Sequence, residues 1–252
     1  LSPANALAEL RRTTRDEHDR IEHLLRLTEP MPLARYATIL SGFGAFLRAW
    51  EPRVLAALPE RLRPWYEPRR RARLASADVD WLVRAAGQTP RAMNVDAALV
   101  LPLVDAAQAF GSLYVIEGSA LGGRVIEPLL KKTLGLERGH GASYFHGFGE
   151  ETGAMWSDFR AVAAREIGDS PEAVAAACQS ARRSFAALLE LFASLSPLPT
   201  TMDIDLTEPP PPDGDITHVR PAAAPLLQLD VDLDFVAPRD PDTGPDTVIL
   251  LR

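Results

Sequence analysis

A chain that keeps four glycines inside one helical stretch is restricted in what it can fold into. From about Val104 to Leu134 apolar residues recur at helical spacing, yet Gly111, Gly118, Gly122 and Gly123 all fall within it. Each interior glycine costs a helix about 1 kcal/mol relative to alanine, so the last three give up roughly 3 kcal/mol if the costs add. Keeping them makes sense where another surface must approach the helix backbone with no Cβ in the way. That surface is either a second helix or a flat ligand.

The remaining periodicity makes the fold all-α. Residues 3–27 read as an amphipathic helix whose apolar face carries Leu7, Leu10, Thr14, His18, Ile21, Leu24 and Leu25. Its other face holds Arg11, Arg12, Arg15, Asp16, Asp19, Arg20 and Glu22. A second helix spans about 33–58 with Pro52 inside it, and a short one spans 76–86 with Ser76 as N-cap. The segment 138–149 is rich in glycine and aromatics and reads as a turn region. Helices follow over 152–165 and from Pro171, which stands at the first helical position behind the N-cap Ser170. The expectation is a bundle of six to eight helices over residues 1–199.

From Thr200 the composition changes. This stretch holds nine of the 22 prolines, eleven acids and three arginines, so the net charge of −7 belongs to it. Residues 227–235 alternate apolar with polar and read as a strand with an acidic face. Residues 215–219 and 246–252 are two further short strand candidates. Residues 200–252 are therefore a Pro- and Asp-rich extension, short and β-like or disordered.

Composition excludes some classes. Apolar residues make up 46% and charged residues 24%, as in a soluble globular chain. No apolar run reaches the roughly 18 residues of a membrane helix, so no membrane partner is expected. The nearly balanced charge of residues 1–199 argues against nucleic acid. A lone cysteine, Cys178, allows no internal disulfide and fits a reducing, cytoplasmic setting. The chain opens at Leu1 rather than Met, which is compatible with a removed leader.

His18 is the candidate ligand. A lone histidine on an apolar stripe is commonly a core residue, but it is also what the iron of a flat macrocycle needs on one face. The glycine helix supplies what the other face needs, a backbone that comes close. The segment Thr13–Glu22 resembles the proximal-helix motif of haem oxygenases. Tyr114–Gly123, with its Glu-Gly-Ser-Ala-Leu-Gly-Gly core, resembles the distal helix of bacterial members. Gly141-Ala142-Ser143-Tyr144-Phe145, with Gly147-Phe148-Gly149, Thr152-Gly153 and Trp156, is similar to a segment of those associated with bacteriophytochromes. The resemblance covers about residues 5–195.

The resemblance implies oxidative opening of haem to biliverdin, in the IXα form, with release of carbon monoxide and ferrous iron. Dioxygen and electrons from an external donor, a ferredoxin or flavoprotein reductase, are implied, with a bacteriophytochrome as a further candidate partner. By position, His18 is the axial iron ligand, and Gly118, Ser119, Gly122 and Gly123 line the distal face. Arg11 and Tyr114 match propionate-binding positions, Phe185 packs on the macrocycle, and Arg182 and Arg183 are further propionate candidates. Serine at 119 departs from the aspartate of mammalian-type enzymes, which leaves the proton path to waters held by Ser119, the backbone or another polar group. A haem or biliverdin binder without turnover, or a phytochrome-interacting protein, is the alternative.

Other features carry less. His140 and His146 lack the carboxylate spacing of a metal site, and His218 is expected to be exposed. Six arginines between Arg61 and Arg73 read as a solvated basic surface. That surface could dock an acidic electron donor or the acidic extension.

Overall fold

Each stretch with helical spacing forms a helix. In the computed structural model, which describes residues 4–91, 103–193 and 195, these are α1 (Ala4–Leu25), α2 (Leu33–Ala57), α3 (Arg63–Tyr66), α4 (Ala72–Ala86), α5 (Ala106–Leu134), α6 (Ser143–His146), α7 (Thr152–Ile167) and α8 (Pro171–Phe192). Among the described residues there is no strand, only isolated bridges at Glu137. None of their helices is long and apolar enough to cross a membrane. Contacts divide the chain into two units, Leu1–Leu198 and Pro199–Arg252. The expected strands at 215–219, 227–235 and 246–252 lie outside the described residues, as does His218.

Local capping explains most helix ends. Ser170 accepts a hydrogen bond from the Ala173 amide at the start of α8, with Pro171 behind it in the first position. Asp105 caps α5 by accepting from the Gln108 amide at 2.8 Å. Gly135, at φ 68°, closes α5 in the left-handed conformation.

α4 departs from expectation, beginning at Ala72 instead of near Ser76. Its cap comes from another helix. The Glu51 carboxylate of α2 accepts from the Arg71 and Ala72 amides, both at 2.7 Å. A carboxylate at a helix N-terminus satisfies orphan donors and complements the helix dipole. The glycine–aromatic region also differs, since it contains the one-turn α6. Asp78 of α4 accepts from the Tyr144 amide at 2.7 Å, and the Tyr36 hydroxyl of α2 donates to the Gly141 carbonyl at 2.7 Å.

The core is built around α5, which packs on α8, α7 and α6, while α1 packs chiefly on α8 and α2 on α4. Gly111 fixes the approach of α5 to α8. A Cβ there would stand 2.0 Å from the Ala177 carbonyl oxygen. Serines line the same seam, with Ser112 and Ser184 hydroxyls 2.6 Å apart and Ser180 donating to the Gln108 carbonyl at 2.7 Å. Trp50 of α2 donates to Ser112 at 2.7 Å. Small side chains with internal partners let two helices meet closely without stranding polar groups.

Candidate functional site

The glycines of α5 divide by what stands opposite them. At Gly123 a Cβ would lie 2.2 Å from the Phe145 carbonyl oxygen of α6. Protein packing, as at Gly111, thus by itself requires glycine at 123. At Gly118 the nearest foreign atom is the rim of Trp156, 4.0 Å away, and at Gly122 only Ile126 of the same helix comes near, at 3.7 Å. Among the described residues no atom requires glycine at either position. Tyr114, Gly118 and Gly122 recur every four residues, so they share one face of α5.

α1 carries His18. The structure corrects the expectation that the imidazole is buried: its side chain is 53% exposed, with Nε2 3.7 Å from a Glu22 carboxylate oxygen. Leu10, Thr14, Ile21 and Leu25 on the same stripe are buried. Helical spacing sets which face a residue occupies, but the neighbouring helix sets whether that face is covered. The ring meets Phe185 of α8 edge-on, with centroids 6.1 Å apart. α8 thus connects the histidine helix to the glycine helix, since it packs on both.

The Arg11 charge acts on Tyr114. Burial pushes the Tyr114 phenol up to about 12, opposed by the nearby Arg11 charge. Arg182 is held by Glu17 at 2.7 Å, so an intramolecular partner occupies that propionate candidate. Arg182 and the exposed Arg183 line an open groove of about 1160 Å³ between α1 and α8, together with Glu17, Arg20 and Cys178.

The arginine cluster is not a solvated surface throughout. Arg69 and Arg71 are buried, while Arg61, Arg63 and Arg73 are exposed. Arg69 donates to Glu117 of α5 at 2.8 Å and to Asp158 of α7 at 2.5 Å, and lies 4.2 Å from the centre of the Trp65 ring. Arg71 donates to the Ile116 carbonyl of α5 and reaches the Ser119 hydroxyl at 3.4 Å. Burial raises the Glu117 carboxyl above its ordinary range, and Arg69, then Arg71, oppose that. Two arginines therefore grip α5 next to its bare glycines.

Among the described residues, Trp156 Nε1 and Arg71 Nε around that segment are buried without a hydrogen-bond partner, and the buried Tyr144 phenol faces Ser119. Sequence reasoning missed all three residues as site elements, and Glu117 with them. A signal existed in Glu117 itself, an acid between Ile116 and Gly118 in an apolar stretch, which demands a buried cation. His140 and His146 each lie 3.5 Å from a single glutamate, Glu137 and Glu127 respectively. Among the described residues, His18, Asp19 and Glu22 form a group with metal-ligand reach, all of them exposed.

These residues fit a flat, anionic macrocycle. Gly118 and Gly122 leave a surface that side chains would fill, Trp156 and Phe185 supply aromatic contact, His18 is open to solvent, and Arg11 with Tyr114 suits a carboxylate.

The family model described as heme oxygenase matches residues 85–194, a segment that holds the glycine helix and Phe185 and begins after His18. A heme oxygenase of Xanthomonas campestris pv. campestris (strain 8004) is 37% identical over 143 residues, covering 53% of this chain and 79% of that protein. The crystal structures of the NO- and CO-bound heme oxygenase from Neisseria meningitidis give a TM-score of 0.58 at 26% identity, over 80% of this chain and 98% of that one. Fold and site define an α-helical protein in which α8 packs on both the helix that carries His18 and the helix that carries the glycines. The chain belongs to the haem oxygenase family.

Proposed function

We propose that this protein binds haem between α1 and α5 and opens it to biliverdin, carbon monoxide and ferrous iron. The observation that carries the reading is the face of α5 at Gly118 and Gly122, where no atom of the described residues requires glycine. Haem is the substrate, and its iron supplies the chemistry of dioxygen and electron uptake. His18 holds the iron from α1. Arg11 and Tyr114 seat the propionates by charge-assisted hydrogen bonds, which fixes the ring's rotation and so the carbon attacked. Phe185 packs on the ring from α8. Gly118 and Gly122 leave room for a small molecule on the open face, with Ser119 at its border. Electrons come from a ferredoxin or flavoprotein reductase in a reducing compartment, which suits a chain with one cysteine. The product is the IXα isomer, of use to a bacteriophytochrome.

Reconstitution with haem, followed by reductant in air, tests this reading. The haem absorbance band should give way to a biliverdin band, and chromatography of the product should show one isomer. A haem complex that persists unchanged would make the protein a binder. Failure to form a one-to-one complex would remove the site.

A further inference from the structure

Three acids on or beside α1 each take an arginine. Glu9 accepts from Arg12 at 2.9 Å, Glu17 from Arg182 of α8 at 2.7 Å, and Glu29 lies 2.6 Å from Arg26. Asp19 and Glu22 do not. Among the described residues neither carboxylate pairs with an arginine or lysine, although Arg15 and Arg20 stand about a turn or less from Asp19 on the same helix.

What they gather around is His18. The Glu22 carboxylate lies 3.7 Å from His18 Nε2, and one ligand atom each from His18, Asp19 and Glu22 all fall within 4.8 Å of one another. Glu22 is four residues from His18 and three from Asp19, so helical geometry makes it the neighbour of both. Two carboxylates at that spacing repel when no cation stands between them, so the arrangement is locally unfavourable. A dication would relieve it. One imidazole nitrogen and two carboxylate oxygens, with further positions open to water, suit a divalent metal of the iron-to-zinc group. Calcium and magnesium prefer oxygen alone. All three side chains are exposed, so rotamer changes suffice to bring their atoms to metal bonds of about 2.1 Å.

We propose that His18, Asp19 and Glu22 hold a hydrated divalent metal ion in the haem-free protein, and that the ion this site serves is the ferrous iron freed when the ring opens. The inference rests on the haem-cleaving reading for its cargo, not for its ligands. His18 serves one partner at a time. Haem iron claims the imidazole in the complex, and the two carboxylates balance the charge of an iron ion that has lost its macrocycle. No electron moves in this exchange: iron trades ring nitrogens for carboxylate oxygens and water, and stays ferrous.

The test titrates cobalt(II), a spectroscopic stand-in for ferrous iron, into the haem-free full chain. Wild type should bind one equivalent and develop a visible absorption band. Asp19→Asn and Glu22→Gln should each weaken binding about tenfold or more, and His18→Ala should abolish the band. Thermal melts of these variants should match wild type, since the positions are exposed. Asp19→Asn should keep the haem affinity of wild type, and one equivalent of haem should expel the cobalt, because both claim His18. Absence of one-to-one cobalt binding, affinities that Asp19→Asn and Glu22→Gln leave as they were, or cobalt retained beside bound haem would overturn the inference. Binding that survives His18→Ala belongs to another site, such as His140 with Glu137, and would do the same. A wild-type protein that turns haem over but binds no cobalt loses only this inference. One that binds cobalt here but forms no haem complex loses the functional reading, and iron as the cargo with it.

Discussion

At the scale of single residues, identical side chains have opposite duties. Gly123 is required by the Phe145 carbonyl, 2.2 Å from where its Cβ would be, whereas Gly118 and Gly122 have no such neighbour. Gly123→Ala should therefore destabilise the haem-free protein by about 1–3 kcal/mol through overpacking. Gly118→Ala or Gly122→Ala should stabilise it by up to about 1 kcal/mol, because alanine is the better helix former and a Cβ there would meet its neighbours only at ordinary contact distance. The same two variants should bind haem more weakly or turn it over more slowly. Paired thermal melts and haem titrations check both halves; an unaltered haem affinity and rate would detach these glycines from the ligand. His18→Ala should abolish the axial histidine signature in the haem spectrum and stop turnover, with added imidazole restoring the signature. Retention of both would move the iron ligand elsewhere.

At the scale of elements, α5 is held as a positioned wall. Arg69 joins it to α7 through Glu117 and Asp158, and Arg71 grips the Ile116 carbonyl one turn from the bare face. A buried ion pair adds little net stability, but removing one partner strands the other. Glu117→Ala should cost about 3–5 kcal/mol in denaturant unfolding of the haem-free protein. A loss below 1 kcal/mol would mean that Arg69 finds full compensation in Asp158 and the Met155 carbonyl. The arginine run shows the limit of reading charge from sequence. Six arginines in thirteen residues look like surface, yet Arg69 and Arg71 are buried because Glu117, Asp158 and a helix carbonyl come from sequence-distant elements. The start of α4 is set in the same way by Glu51, twenty residues upstream of Arg71.

At the scale of the whole molecule, the helices are fastened at their rims as well as through the core. Arg61, ahead of α3, pairs with Glu166 near the end of α7 at 2.7 Å. The Glu166 carboxyl is held below its ordinary range, first by the Arg61 hydrogen bond, with burial opposing. A carboxylate with a lowered folded-state value stabilises above its unfolded value and loses that contribution as pH falls through the folded one. Glu166→Gln should thus cost less than about 1 kcal/mol at neutral pH, since Arg61 is largely exposed. It should also flatten the fall of stability below about pH 4.3. Unfolding curves at pH 7 and pH 3 with the same gap between variant and wild type would contradict this. A chain ending at residue 198 should unfold in one transition and bind haem one-to-one; a loss of binding would place part of the site in residues 199–252.

The sequence by itself determined what depends on local spacing. Helical periods, the Ser170-Pro171 start, the unusual glycine content of α5 and the helix that carries His18 are all written within a few residues of chain, because period and capping are short-range physics. Tertiary structure alone decided whether His18 is covered, which glycines a close neighbour requires and which none does among the described residues, and which arginines go inside. Each of those depends on the element packed opposite, and burial, close approach and charge pairing are properties of two surfaces that one stretch of sequence does not contain. The glycine helix was legible as an anomaly with two explanations: a close protein neighbour accounts for Gly111 and Gly123, and among the described residues none accounts for Gly118 and Gly122.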